Sequence, residues 1–252
     1  MKLLGLIAVL ITGALLLYAS GDFPAWGDAA SPANSNEEVS VRFIEDAYKK
    51  TKTPNAVTAV LADYRGFDTM FETVVILVAG IAIIAILSVL GKGNQPRGGD
   101  IELAPSKQDL IVVETCKLVI PILQLFALYV VAHGHYSPGG GFQGGVMMGA
   151  SLILLALACG LPAALKRMSE RRAVVLAVIG IIIYAGWGMV CMLMGSNFLD
   201  YAAVDPLLPE SVAKGRSHSA LIVETGVAFT VTAIMFAIYA NLATRGRLRG
   251  GL

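Results

Sequence analysis

Several ionisable residues interrupt runs that are otherwise apolar. Glu114 and Lys117 lie inside "LIVVETCKLVIPILQLFALYVVA" (110–132), and Glu224 lies inside "ALIVETGVAFTVTAIM" (220–235). Glu72 stands at the mouth of a third run, near Asp68. An ionisable group in hydrocarbon costs roughly 2.5–3.5 kcal/mol on insertion scales, so it faces protein or water and is there for ion transfer or for pairing. Glu114 and Lys117 are three residues apart, on one helix face, where they can pair. Pro121 removes the backbone hydrogen bond to the Lys117 carbonyl. A charge and a freed acceptor then coincide, which suits a hydrated path. A structural pair, or side chains reaching the headgroups, is the alternative for Glu114 and Lys117. Glu72 and Asp68 are also explained by an interfacial position. Glu224 has no basic residue in its own run.

Between two of the runs stands "HGHYSPGGGFQGG" (133–145). Histidine titrates near physiological pH, so His133 and His135 can take protons from the medium; hydrogen bonding within the turn is the plainer role. Two histidines are too few for a metal, and the third, His218, is in a loop, which also disfavours haem. Cys116, Cys159 and Cys191 stand alone without C-x-x-C, which argues against disulfides and thiolate metal sites. "GGGFQG" fits G-x-G-x-x-G in form only: no strand precedes it and no acidic residue follows at the ribose-binding distance. Gly141, Gly145 and Gly149 recur every fourth residue, a small-residue stripe that lets another helix come close. Ser137-Pro138 before Gly139 and Gly140 makes a tight turn into that helix. The Met-rich "GMVCMLMG" (188–195) reads as adaptable packing. No cofactor is expected.

The elements that hold these residues follow from composition. The 252 residues are 56% hydrophobic and only 15% charged, with mean hydropathy +0.71. That balance suits a lipid-embedded chain, and the net charge of +1 gives no reason to expect nucleic-acid binding. A spanning helix needs about 20 apolar residues, and six runs qualify: 3–20, 70–90, 110–132, 143–165, 173–195 and 219–241. The expected fold is all-α, a polytopic membrane protein. The first run also loosely fits a cleaved signal peptide; retained, it completes six spans. Lys and Arg gather in alternate loops (92–107, 166–172, 245–249), which puts both termini in the cytoplasm and the histidine motif on the outer side.

"GKGNQPRGGDIELAPSKQ" (91–108) reads as a linker. It divides a module at 1–95, with two spans around an outer segment, from one at 105–252 with four. In the outer segment, "VSVRFIEDAYKKT" (39–51) has the spacing of a short amphipathic helix with Val41, Ile44 and Tyr48 on one side. "NAVTAVLADYRGFDTMFE" (55–72) is expected to dip into the bundle or pack on its outer face.

"HGHYSPGGGFQGGVMMGASLILLALACG", with "ETCKLVIPILQLFALYVVAHGH" and "ETGVAFTVTAIM", closely resembles MnhB-type proteins over roughly 105–250. These are the B-type subunits of multisubunit (Mrp-type) Na+/H+ antiporters and their counterparts in membrane-bound energy-converting hydrogenases. "PNAVTAVLADYRGFDTMFETVVILVAG" resembles the small E-type hydrogenase module, also found at the C-terminal end of the large A-type antiporter protein. The resemblance implies an accessory subunit in a prokaryotic plasma membrane that helps assemble its complex and lines part of a Na+ or proton path. It implies other antiporter or hydrogenase membrane subunits as partners. Carried onto this chain, the path candidates are Glu114, Lys117, His133, His135 and Glu224, with Asp68 and Glu72 from the first module. The alternatives are the ion-pumping arm of a redox complex, with its catalytic sites on other subunits, and a purely structural scaffold.

Overall fold

A computed structural model describes residues 2–31, 41–93, 110–207 and 212–248. The described residues contain helices and no strand. Among the described residues, six helices are long and apolar enough to cross a membrane. They are α1 (Lys2–Ser20), α4 (Gly66–Gly93), α5 (Leu110–Ala132), α6 (Gly141–Cys159), α8 (Glu170–Leu193) and α9 (Val212–Thr244). Shorter elements fill the connections. These are α2 (Ala47–Thr51), α3 (Ala56–Thr58) running into a π-helical stretch at Ala59–Tyr64, α7 (Leu161–Arg167) and a 3-10 segment at Tyr201–Leu207.

By packing, the chain forms two units, Met1–Asp46 and Ala47–Leu252. The first holds α1, whose leucines and isoleucines are exposed along its length, as lipid-facing side chains are. In the second, α4 packs with the helices that follow the linker. Of the linker read at 91–108, residues 91–93 end α4, and 94–108 lie outside the described residues.

The core of the larger unit is strung along α9, the most buried of the six helices. Near one end, Val223, Val227 and Val231 meet Tyr184 and Tyr201. Further along, Ile234 and Ala237 meet Ile84, Ala173 and Ala177. Then Phe236 and Ala240 meet Leu152, Ala156 and Leu161. Lipid tails supply no hydrophobic force between helices, so close approach at small residues and buried hydrogen bonds hold such a bundle. Gly180 of α8 and Gly226 of α9 face each other's backbone. The Thr230 hydroxyl donates to the Ala177 carbonyl at 2.8 Å, and Thr232 donates to Gly145 at 3.0 Å.

Three local features differ from the sequence reading. The run 143–165 breaks at Gly160, whose φ of +86° suits glycine, and Pro162 then opens α7. The last span starts earlier, at Val212, and in the polar stretch before the apolar run Ser217 and Ser219 are buried and Arg216 pairs with Asp63. The stretch 39–51 is not one amphipathic helix: only one turn at Arg42–Ile44 and the short α2 form, and Ile44 and Tyr48 are exposed. Residues 39 and 40 lie outside the described residues.

Candidate functional site

The "HGHYSPGGG" turn folds over α9 at Glu224. Gly140 has φ +135°, a left-handed backbone that favours glycine. A Cβ on Gly140 would lie 2.9 Å from Glu224 Oε1, and one on Gly134 would lie 2.7 Å from Oε2. The carboxylate is therefore wrapped between two glycines where no other residue leaves room. Gly141, Gly145 and Gly149 continue the contact along α9: their missing side chains would meet Glu224, Ala228 and Thr232–Met235 in turn. Gly144 faces α5 instead, against Val131 and Ala127.

Glu224 is 9% exposed. Its Oε2 is buried without a hydrogen-bond donor, and no basic side chain pairs with it among the described residues. A cavity of about 40 Å³ opens beside it, lined by Thr58, Thr69, Gln143 and Tyr184 among polar residues and by Leu61, Val223 and Val227 among apolar ones. A water needs roughly 10–15 Å³ and polar partners, so the cavity has both the room and the groups to hold water against the carboxylate.

The turn is pinned by the short α3. Asn55 caps that helix and donates through Nδ2 to the carbonyls of Gly134 and Ser137, both at 2.8 Å. The Thr58 hydroxyl donates to Gly134 at 2.7 Å, and the Asn55 N–H to His135 at 3.3 Å. Asn55 and Thr58 were not legible as site residues, since their partners lie about eighty positions away. The only local signal was an asparagine ahead of a helical turn.

The two histidines separate. His133 is exposed, stacked on Tyr129 with ring centroids 4.1 Å apart and its Nδ1 3.2 Å from the Tyr129 carbonyl. His135 is buried, and its Nδ1 has no partner. Burial, then the neighbouring His218 and His133, hold its imidazole below the ordinary histidine range.

The remaining candidates stand apart from this cluster. Glu114 and Lys117 pair at 2.7 Å on α5, each more than half exposed. Pro121 is exposed inside the same helix, which continues through it. Asp68 is exposed and paired with Arg65 at 2.6 Å, and Glu72 is exposed on α4. Of the proposed path residues, the fold brings Glu224 together with the turn that carries His135, and leaves the other carboxylates on the surface of the unit.

A second charged cluster has no signal in the sequence. The Arg216 guanidinium forks onto Asp63, Nη2 to Oδ1 at 2.8 Å and Nε to Oδ2 at 3.1 Å, and its Nη1 lies 3.8 Å from Asp200.

Residues 111–237 match the family described as a domain related to the MnhB subunit of Na+/H+ antiporters. Residues 29–96 match the MbhE family, described as the E-type subunit of MBH. A probable K+/H+ antiporter protein of Rhizobium meliloti, described as a combined A/B subunit, is 26% identical over 217 residues, 76% of this chain and 21% of its own. A putative antiporter subunit mnhB2 of Staphylococcus aureus is 29% identical over 139 residues, 54% of this chain and 96% of its own. A chain of the Mrp complex from a Dietzia species aligns with TM-score 0.63 at 25% identity, over 97% of this chain and 26% of that one. A chain of the membrane-bound sulfane sulfur reductase, an archaeal respiratory membrane complex, shares the fold, with TM-score 0.66 at 24% identity over 96% and 97% of the two chains. The chain thus spans about a fifth of its Rhizobium relative and nearly all of the staphylococcal one.

Proposed function

The chain belongs to the MnhB family, and on that premise we propose that it is an accessory membrane subunit of a multisubunit cation/proton antiporter module, with an ion path that passes Glu224. The observation that carries this is the carboxylate itself. It is buried on the central helix without a counter-charge, wrapped by glycines, and open to a cavity of water-holding size. A carboxylate so placed is expensive unless it is used. In this reading it exchanges a proton or a cation with water in the cavity, and the other subunits supply the main pumping groups. Glu114, Lys117, Asp68, Glu72 and His133 then meet neighbouring subunits or headgroups rather than the path. The cation is Na+, as the family's name implies; the Rhizobium relative is described as acting on K+.

The chain is read as two joined sequence modules, 1–95 and 105–252, in a prokaryotic inner membrane with both termini in the cytoplasm. Lys166, Arg167, Arg171, Arg172, Arg245 and Arg247 support that orientation, since they cluster on the loops away from the histidine turn. The MbhE match also supports a second reading, membership of a redox-driven membrane arm.

Mild-detergent purification of the tagged chain from native membranes tests the assignment. Antiporter-like membrane subunits are expected to copurify. Iron–sulfur or nickel-iron subunits among them would favour the redox arm, and a chain that purified alone would end the subunit reading. Glu224→Gln keeps the shape and removes the ionisable group. In membrane vesicles the complex is expected to assemble and to lose cation-driven proton movement.

A further inference from the structure

We propose that the Asp63–Arg216 ion pair is a latch that holds the π-helical segment Ala59–Tyr64 over the cavity beside Glu224, and so controls access to that carboxylate from the histidine-turn end of the bundle. The proposal rests on the reading of Glu224 as a path residue.

The segment is the cover of the cavity. Leu61 and Ala62 line the cavity from it, Thr58 lines it from the preceding turn, and Val223, Glu224 and Val227 line it from α9. Little apolar packing holds the cover down. Ala59 and Ala62 are its buried side chains, while Leu61 is 41% exposed. Its two fully buried side chains are alanines, and Val60 and Tyr64 are only half-buried, so a modest apolar area offsets the entropy of ordering the six-residue stretch. A π-helix is itself an uncommon backbone that is frequent at functional sites.

Polar attachments hold the cover and its end instead, and they come from four elements. Arg216 of α9 grips Asp63 through its fork, and the two side chains are only 18% and 12% exposed. Asp200, in the loop after α8, stands on the other side of the guanidinium and accepts from the Ser196 hydroxyl. The Tyr201 hydroxyl donates to the Ala62 carbonyl at 2.9 Å. The Tyr184 hydroxyl donates to Gly66, just past the cover, at 2.9 Å. Thr69 donates to Leu61 at 2.8 Å. Removing one partner of a buried charged pair leaves the other uncompensated, which is far more disruptive than losing a surface pair. Asp200 gives Arg216 an alternative partner when Asp63 lets go. Arg216 lies within 3.8 Å of Asp200 while it grips Asp63, so the guanidinium keeps a counter-charge when the latch opens.

Val227 reports on the cavity without belonging to the latch: it lines the cavity from α9 and is 4% exposed. In a chain with Cys116, Cys159 and Cys191 replaced by alanine, Val227→Cys is placed in the assembled complex in native membranes. Its reaction with a charged, membrane-impermeant methanethiosulfonate is then timed. With the latch intact the reaction is expected to be slow. Asp63→Asn is expected to raise the rate at least tenfold, and Tyr201→Phe about threefold. An unchanged rate in an assembled Asp63→Asn complex overturns the latch. If Asp63→Asn fails to assemble, Arg216→Lys, which keeps the charge and loses the fork, decides: faster labelling supports the latch and an unchanged rate overturns it. Labelling needs no transport, so it separates the two ideas. A latch that labels as expected, beside a Glu224→Gln complex with normal antiport, would sink the path and leave the latch standing.

Discussion

At the scale of single residues, the glycines matter as much as the charges. Gly141→Ala would push a Cβ into the backbone of α9 at Glu224. Overpacking of this kind typically costs about 1–3 kcal/mol, so the variant is expected to lower the yield of folded chain. Gly186→Ala, in a helix position with open space around it, is the control and is expected to fold normally. Detergent-solubilised yield and thermal melting compare the two. His135 adds a pH dependence. Its imidazole is held below the ordinary range by burial, so the folded state binds the proton less readily than the unfolded chain. Stability from this site is complete above the unfolded value of about 6.5 and is lost as pH falls through the folded one. Melting between pH 7.5 and 5.5 is expected to drop more for the wild type than for His135→Gln; parallel curves would contradict it. Glu224 was legible as a carboxylate without a partner in its own span. The separation of His133 from His135 was not, because two residues of one turn look alike until the turn's fold buries one of them.

At the scale of elements, the short α3 does more than connect. Asn55 makes both its cap and two of the bonds that fix the histidine turn. Asn55→Ala takes the side-chain donor from the Ser137 carbonyl and leaves Gly134 with the Thr58 hydroxyl alone, a loss of about 1 kcal/mol per hydrogen bond. Amide exchange across 134–141 is expected to quicken, with the core of α9 unaffected. Equal exchange in both chains would show that the turn is held by something else. The apolar periods gave the spans to within a few residues except at Gly160 and at the polar start of α9, which begins at Val212. They failed at Gly160 because composition carries no sign of a left-handed backbone. They gave two possibilities for 55–72 because the segment's partners are carbonyls and an arginine more than sixty residues away.

At the scale of the whole molecule, α9 is the pole around which the larger unit is built, and Glu224 lies on it. The pair Glu114–Lys117 is exposed on a spanning helix, where bare charges are expensive. It is expected to lie against a neighbouring subunit. Glu114→Gln with Lys117→Gln should then lower recovery of partner subunits while leaving ion flux per recovered complex unchanged. Lower flux at equal recovery would instead place the pair in the path. The family was readable because the histidine turn, its glycines and the two Glu-Thr runs stand in register. The latch was unreadable because Asp63, Asp200 and Arg216 come from three separated stretches.

The most direct measurement is cation-driven proton flux in proteoliposomes of the purified complex, at equal complex content, for wild type, Glu224→Asp and Glu224→Gln. The expected result is flux lowered at least tenfold by Gln and partly kept by Asp, which retains an ionisable group. Wild-type flux through the Glu224→Gln complex would contradict a path through this carboxylate.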